Sequence, residues 1–549
     1  MGLLSVALMG SLVGGLGLGL AQTPSEPPAQ TPAGTPTSAP AQTPAAAPQT
    51  AAPAQAAPGA NQPVKNMDGT YTIRSTARLV VLDMVVSDKQ GNVVTDLTRD
   101  DFHVTESGDP ETILNFEAAG AHSLTPDLTI DSTQDLDRLA PRAPVNIILL
   151  DEFNTRFEDM AFARYSLKQW LKRQPDKLDT PTMLLAVSLQ KFEVLRDYTQ
   201  NKQEILTALD HHFVAFPWQA HGNSWAAERY GTAFMTLQRV AEATVGHIGH
   251  KNMIWIGRGF PALNYANVPI DTQNRIDSVV QETVNRLRDA RVTLYTIDPA
   301  GLQVTNTYGS DAEFNDPFGG NYQFAKLATA TGGKALYGRN DVDAEIGTTI
   351  RDGSSFYTLT YRPGNESMDP QKFRKIKVTV DRPGLVVTTR EGYYLQRRAA
   401  RVDPQNPSRR LAMDLVSAES STMAYDGLSI AVKAAEAPDT YLIHVDAPGV
   451  VWSNATDTDP RRAELILMVS TFDKKGKELK RDAKSLKVTG PKDLPPTGRV
   501  NQPLNFPYKL DHDAKAVRAR VVVRMAASGR IGTADLDLTG AAVKGNGTP

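Results

Sequence analysis

Val145-Asn146-Ile147-Ile148-Leu149-Leu150-Asp151-Glu152-Phe153-Asn154-Thr155 is an apolar run that stops at an acidic, hydroxyl-bearing turn. Pro144 precedes it. A short unbroken run of Ile, Leu and Val is the pattern of a parallel strand covered on both faces. In such sheets ligands bind beyond the carboxyl ends of the strands, which places Asp151 and Thr155 where recognition or chemistry is expected.

Outward from this strand the period changes. Ala163, Leu167, Trp170 and Leu171 fall at helical spacing, with Asp159 placed to cap the helix. Thr182 to Leu189 and Phe192 to Tyr198 read as two strands, and the link Gln190-Lys191 is too short for a parallel crossover, so they form a hairpin. Helical patterns at 202–209, 225–248 and 276–287 alternate with strands at 252–257 and 292–297, the latter ending in Asp298-Pro299. Another helix, around 324–328, stops at Thr331-Gly332-Gly333. This rhythm predicts an α/β domain over 143–352 built on a doubly wound, mostly parallel sheet with helices on both faces.

On either side the character is β. Residues 67–120 read as a small β-unit of hairpins, 353–396 as a β-extension, and 410–540 as an antiparallel sandwich of immunoglobulin type. A polar connector, 120–144, and a basic, proline-containing hinge, 396–410, separate these parts.

The 549 residues exceed one core, and a net charge of -2 gives no bulk electrostatic reason to expect nucleic acid. The chain has no cysteine, which excludes disulfides, thiolate nucleophiles and cysteine-ligated metals. Leu3 to Leu20 is apolar and glycine-rich and runs into Gly19-Leu20-Ala21, the small-x-small pattern of a signal-peptide cleavage site, so 1–21 is expected to direct export to the periplasm or beyond the cell. The start Met1-Gly2-Leu3-Leu4 lacks the usual positive charge; left uncleaved, the segment would tether the chain to a membrane. Residues 22–66 are almost only Ala, Pro, Thr, Gln and Ser, a composition that cannot offset its chain entropy by burial and serves as a spacer.

The order of elements resembles the von Willebrand factor type A domain, in particular the related group abundant in Acidobacteria. The stretches that carry the resemblance are Leu79 to Val86 with Asp100-Asp101-Phe102, Asn146 to Thr155, Trp255 to Pro261, Tyr295 to Leu302, Leu327 to Gly333, and Phe373 to Val380 running on to Arg390-Glu391-Gly392-Tyr393-Tyr394. The resemblance implies a metal-ion-dependent adhesion site, Asp-x-Ser-x-Ser after the first strand with a later Thr and Asp, whose oxygens hold magnesium for a partner's carboxylate. Asp151 and Thr155 match the first and fifth positions of that motif, whereas Phe153 at the third cannot ligate. Where the later Asp is expected stands Gly257-Arg258-Gly259-Phe260-Pro261, and the remaining hydroxyl would fall to Ser224 or Thr232. The site is degenerate, and Arg258 is expected to supply the missing positive charge by pairing with Asp151.

Other constellations are weaker. His211, His212, His221, His247 and His250 lack zinc-site spacing and read as surface or helix-end residues. Acidic loops at 311–316 and 457–459 lack the spacing of a calcium loop. There is no Gly-x-Ser-x-Gly elbow and no phosphate-binding Gly-x-x-x-x-Gly-Lys. Trp218 and Trp225 flank a polar loop and are candidate recognition anchors. The expected function is protein-protein or surface-ligand recognition through a rim of Asp151 to Thr155 (Asn154 included), Asn223-Ser224-Trp225 and Arg258. The alternatives are a hydrolase using Asp151 and Asp298, or an envelope scaffold with no open site.

Overall fold

A computed structural model describes residues 64–65, 71–72, 79–189, 191–214, 224–260, 263–264, 269–301, 321–322, 324–364, 373–394, 407–455, 460–491, 494–495 and 500–539. The chain divides into two compact units, Met1–Ser75 and Thr76–Pro549. In the first, the described residues form one short antiparallel ladder, Val64 opposite Thr72 and Lys65 opposite Tyr71. The segment expected as an export signal and most of the expected spacer lie outside the described residues.

In the second unit the expected strand is β1, Val145–Asp151, and every residue in it is buried. It belongs to a six-stranded sheet with β2 (Lys177–Val187), β3 (Phe192–Asn201), β4 (Lys251–Ile256), β5 (Val292–Ile297) and β6 (Ala335–Leu336), in the order β6-β5-β4-β1-β2-β3. The pairs β6-β5, β5-β4, β4-β1 and β1-β2 are parallel, whereas β2-β3 is an antiparallel hairpin that closes one edge.

Because side chains alternate along a strand, β1 feeds two cores. Ile148 and Leu150 join Leu167, Trp170, Leu206 and Ile346, from the helices α2 (Phe157–Lys172), α3 (Lys202–His211) and α7 (Val342–Ser354). Ile147 and Leu149 join Trp255 and residues of α4 (Ser224–Thr244), α5 (Ile270–Asp289) and α6 (Phe324–Ala330). The same core takes in Leu136 of α1 (Thr133–Leu139), inside the expected connector, and Leu415 and Ala418 of α8 (Pro407–Ser420), which begins inside the expected hinge. Asp159 sits in the first turn of α2, one turn inside the capping position occupied by Arg156.

The expected doubly wound, mostly parallel α/β architecture is overturned. Among the described residues six of the seven sheets are wholly antiparallel, and the seventh is mixed, so the chain is a mixed α/β protein in which antiparallel sheets predominate. The reason lies in long-range pairing. Val80–Ser87 pairs with Tyr357–Tyr361 and Val386–Thr389, and Phe102–Glu106 pairs with Phe373–Val380. The segments expected as a separate β-unit and β-extension thus interleave in two four-stranded sheets around Leu82, Phe102, Tyr357, Ile376 and Tyr393. That body encloses Glu106, which accepts hydrogen bonds from Tyr361 Oη (2.6 Å), Tyr393 Oη (3.0 Å) and Arg374, so its buried charge is fully met.

Beyond α8 a three-stranded sheet (Ile430–Ala434, Thr440–Val445, Leu504–Lys509) and a four-stranded one (Glu478–Thr489, Arg462–Phe472, Arg518–Met525, Ile531–Asp537) enclose a further core. Met468, Val522 and Ile531 turn instead toward α4 and α8. Arg520, without exposed surface, ties the junction by donating to the carbonyls of Ala418 (2.9 Å) and Met423 and to Asp535 Oδ2 (2.6 Å). No helix among the described residues is long and apolar enough to cross a membrane.

Candidate functional site

Asp151 ends β1 with no exposed surface. Its Oδ1 accepts the Asn154 N–H (2.9 Å), and its Oδ2 accepts the Gly259 N–H (2.7 Å) and the Trp255 Nε1–H (3.1 Å). The parallel register Leu150 to Ile256 delivers the turn after β4 directly against Asp151. That approach requires glycine. A Cβ on Gly257, at φ +143°, would stand 2.4 Å from the Asp151 Cβ and 2.5 Å from Thr155 Oγ1. Gly257→Ala is therefore expected to cost about 1–3 kcal/mol and to displace the Asp151 turn; an unchanged midpoint in urea unfolding would refute the close packing.

Thr155 is buried, and its Oγ1 accepts the Arg258 N–H at 3.3 Å. Phe153 is also buried, its ring edge-on to Trp255 with centroids 6.1 Å apart. It is a core residue. Glu152 turns to the other side and pairs with His212 Nε2 at 2.7 Å, both side chains buried.

The positive charge beside this turn comes from Arg229 of α4, a residue the sequence reading did not single out. Arg229 is buried and donates to Asn154 Oδ1. Burial pushes Asp151 up to about 7, against the Asn154, Gly259 and Trp255 donors and the Arg229 guanidinium, which favour the carboxylate. Burial likewise lowers Arg229, to about 10, while Asp151 opposes the change. Arg229 thus remains a cation at neutral pH. The expected Arg258–Asp151 pair does not form: Arg258 Nε lies 3.6 Å from Asp298 Oδ1, and both side chains are about a third exposed (35% and 34%). Nothing in the spelling of a long amphipathic helix distinguishes Arg229 from a solvated arginine.

These residues do not fit a magnesium ion. Both oxygens of Asp151 already accept N–H donors, Thr155 Oγ1 accepts another, Phe153 offers no ligand atom, and a guanidinium stands where a second cation would be repelled. Among the described residues no group of three or more His, Asp or Glu side chains is arranged to hold a metal. Asp151 has no exposed surface, whereas Asp298 is about a third exposed and is held by Arg258 and by the Ala300 N–H (3.0 Å), so the two carboxyl groups are engaged by different partners.

Of the expected rim residues, Asn154 is buried under Arg229, and Arg258 keeps exposed surface. Ser224 and Trp225 open α4, with their side chains outside the described residues, as are Trp218, His221, Asn223 and the acidic loops at 311–316 and 457–459. Three exposed aromatics missed by the sequence reading lie at the same end of the sheet: Phe157 at the start of α2 (59% exposed), Phe213 after α3 (82%) and Tyr337 after β6 (70%). The histidines expected at the surface divide: His211 is exposed, whereas His212, His247 and His250 are largely buried, His247 Nε2 donating to the Ala143 carbonyl at 2.7 Å.

No family model and no curated protein matches the chain. Among solved structures, similarity is found to Bacteroides uniformis beta-glucuronidase 2 covalently bound to cyclophellitol-6-carboxylate aziridine and to a calcium-binding mutant of that enzyme, each at 12% identity and TM-score 0.12 over 33% of this chain and 18% of theirs. A Bacteroides uniformis beta-glucuronidase follows at 11% identity and TM-score 0.11, with the same coverage. The chain thus spans less than a fifth of the length of these enzymes, and the likeness carries no argument about fold or activity.

Proposed function

We propose that this chain is an exported, non-catalytic binding protein, related to the von Willebrand factor A-like group, that engages a protein or cell-surface ligand without a metal ion. The observation that carries the reading is the sealed Asp151 turn with three exposed aromatics at the same end of the sheet. Phe157, Phe213 and Tyr337 offer rigid apolar contact area at the same end of the sheet as the partly exposed Arg258–Asp298 pair, the composition that anchors protein interfaces. The apolar amino-terminal segment and the Pro/Ala/Thr spacer support export to the periplasm or cell surface. The closed turn equally suits an envelope scaffold with no open site, and the test separates the two.

The full chain, immobilised, is to be exposed to envelope extract with and without a chelator, beside the Phe157→Ser/Phe213→Ser/Tyr337→Ser triple variant. The same partners are expected with and without chelator, and the triple variant is expected to lose them. Release by chelator would overturn the metal-free reading, and identical capture by the triple variant would leave the scaffold.

A further inference from the structure

A cleft of about 410 Å³ lies where the turn after α4 meets the carboxyl-terminal sheets, within the roughly 300–1,000 Å³ range of small-molecule sites. Its walls carry Asp426, Ser429, His444, Asp446 and Arg530, with Pro448 among the apolar lining. None of these belongs to the Asp151 turn.

The cleft is preformed. A Cβ on Gly246 would stand 1.9 Å from the Asp426 carbonyl oxygen, so that wall is packed backbone-close, and Gly449 packs against the Leu428 side chain. Asp446 is fixed by two neighbours: Ser429 Oγ donates to its Oδ2, and His444 Nε2 lies 2.9 Å from its Oδ1. His444 is itself held by Asn505 Oδ1, 2.7 Å from Nδ1. Asp426 Oδ1 accepts the Gly246 N–H at 2.9 Å. Such fixing removes the ordering cost that a ligand would otherwise meet.

The lining sets the Asp426 and Asp446 carboxyl groups against the Arg530 guanidinium and the His444 imidazole. Burial pushes Asp426 up to about 7, with Asp137 adding to the effect and Lys251 and the N–H groups of Gly246 and His247 opposing it, so a cation bound beside it would favour the carboxylate form. A carboxylate keeps further lone pairs when one donor sits on each oxygen, so Asp446 and Asp426 still have acceptor capacity toward the cleft. Among the described residues no three metal-ligating side chains converge, and the donors already on Asp446 suit a ligand that brings N–H groups of its own.

We infer that this cleft binds a primary ammonium group on a compact body, between the Asp426 and Asp446 carboxylates. The test uses Nα-acetyl-lysine methylamide as probe and its Nζ-acetylated counterpart as the neutral isostere, titrated into the full chain by NMR. Binding of the lysine form is expected, with at least a tenfold loss on Nζ-acetylation and a loss of similar size in Asp446→Asn. The Asp446 side chain is half-exposed (51%), so this variant should keep the wild-type unfolding midpoint. Arg530→Gln, which removes a like charge from the cleft, is expected to bind the probe more tightly. Equal binding of the two probes, no binding of either, or an affinity unchanged in a folded Asp446→Asn would overturn the proposal.

Discussion

Asp151→Ala is expected to lower the stability of the fold by about 3–5 kcal/mol, by the same amount in magnesium and in chelator. Removal of the carboxylate would leave the N–H groups of Asn154 and Gly259 and the indole N–H of Trp255 without their acceptor, and Arg229 without its nearby anion, in a place with no access to water. Each orphaned buried donor costs about 1–3 kcal/mol. A magnesium site predicts a different pattern: the metal would raise the wild-type unfolding midpoint, and loss of Asp151 would abolish that increment. Urea unfolding of both proteins with magnesium or with chelator decides the matter. A magnesium-dependent rise confined to wild type would sink the assignment of Asp151 to architecture.

A loss of comparable size is expected for Asp83→Ala, far from the candidate rim. Asp83 lies on Val80–Ser87, and its buried carboxylate accepts from Arg291 Nε (3.1 Å), His250 Nδ1 (3.0 Å) and Thr358 Oγ1 (2.8 Å). Arg291 belongs to the turn before β5 and holds a left-handed φ of 54° from which it also donates to the Ile248 carbonyl at 2.9 Å. One side chain thus binds the two-sheet β-body to the amino-terminal ends of β4 and β5 in the six-stranded sheet. Removing one partner from a buried ion pair costs about 3–5 kcal/mol because the other charge stays behind.

The same residue sets a pH dependence. Burial alone would raise the pKa of Asp83, but the Arg291 charge and the bonds from His250 and Arg291 overcome it and hold the carboxyl well below the usual range. A carboxylate depressed in the folded state contributes stability that is present above its unfolded pKa, about 3.9, and is lost as pH falls through its folded value. The difference in thermal midpoint between wild type and Asp83→Ala is therefore expected to widen as pH falls from 7 to about 5, because His250 loses the acceptor that favours its charged form, and to shrink below about 4. A gap that stays constant into the acid range would show that Asp83 acts by packing and not by charge.

The local spelling of the chain was informative where one segment sufficed. The run from Val145 to Leu150 announced a strand covered on both faces, and the two-residue link at Gln190-Lys191 announced the β2-β3 hairpin, because a crossover cannot be made in two residues. It misled where a pairing partner lay hundreds of residues away. Val80–Ser87 spells a strand, but nothing in it states that its neighbours are Tyr357–Tyr361 and Val386–Thr389, so segments expected as separate parts close into one body and antiparallel sheets come to predominate. Helices α1 and α8 were hidden for a similar reason: each buries only a few apolar side chains, and the surfaces that cover them come from other segments.

At the candidate site the division is sharper. Phe153 and the Gly257-Arg258-Gly259 turn were visible as departures from an adhesion motif, which already spoke against a magnesium ion. The identity of the cation beside Asp151 was not visible. Arg258, adjacent in register, was the natural choice by sequence, yet its guanidinium turns to Asp298, while Arg229 reaches the turn from α4. The sequence by itself determined that a buried strand ends at Asp151. Only the tertiary structure decided what completes that turn, because the donors and the charge that satisfy a buried carboxylate come from β4, the turn after it and a separate helix, and chain folding alone brings them within hydrogen-bonding distance.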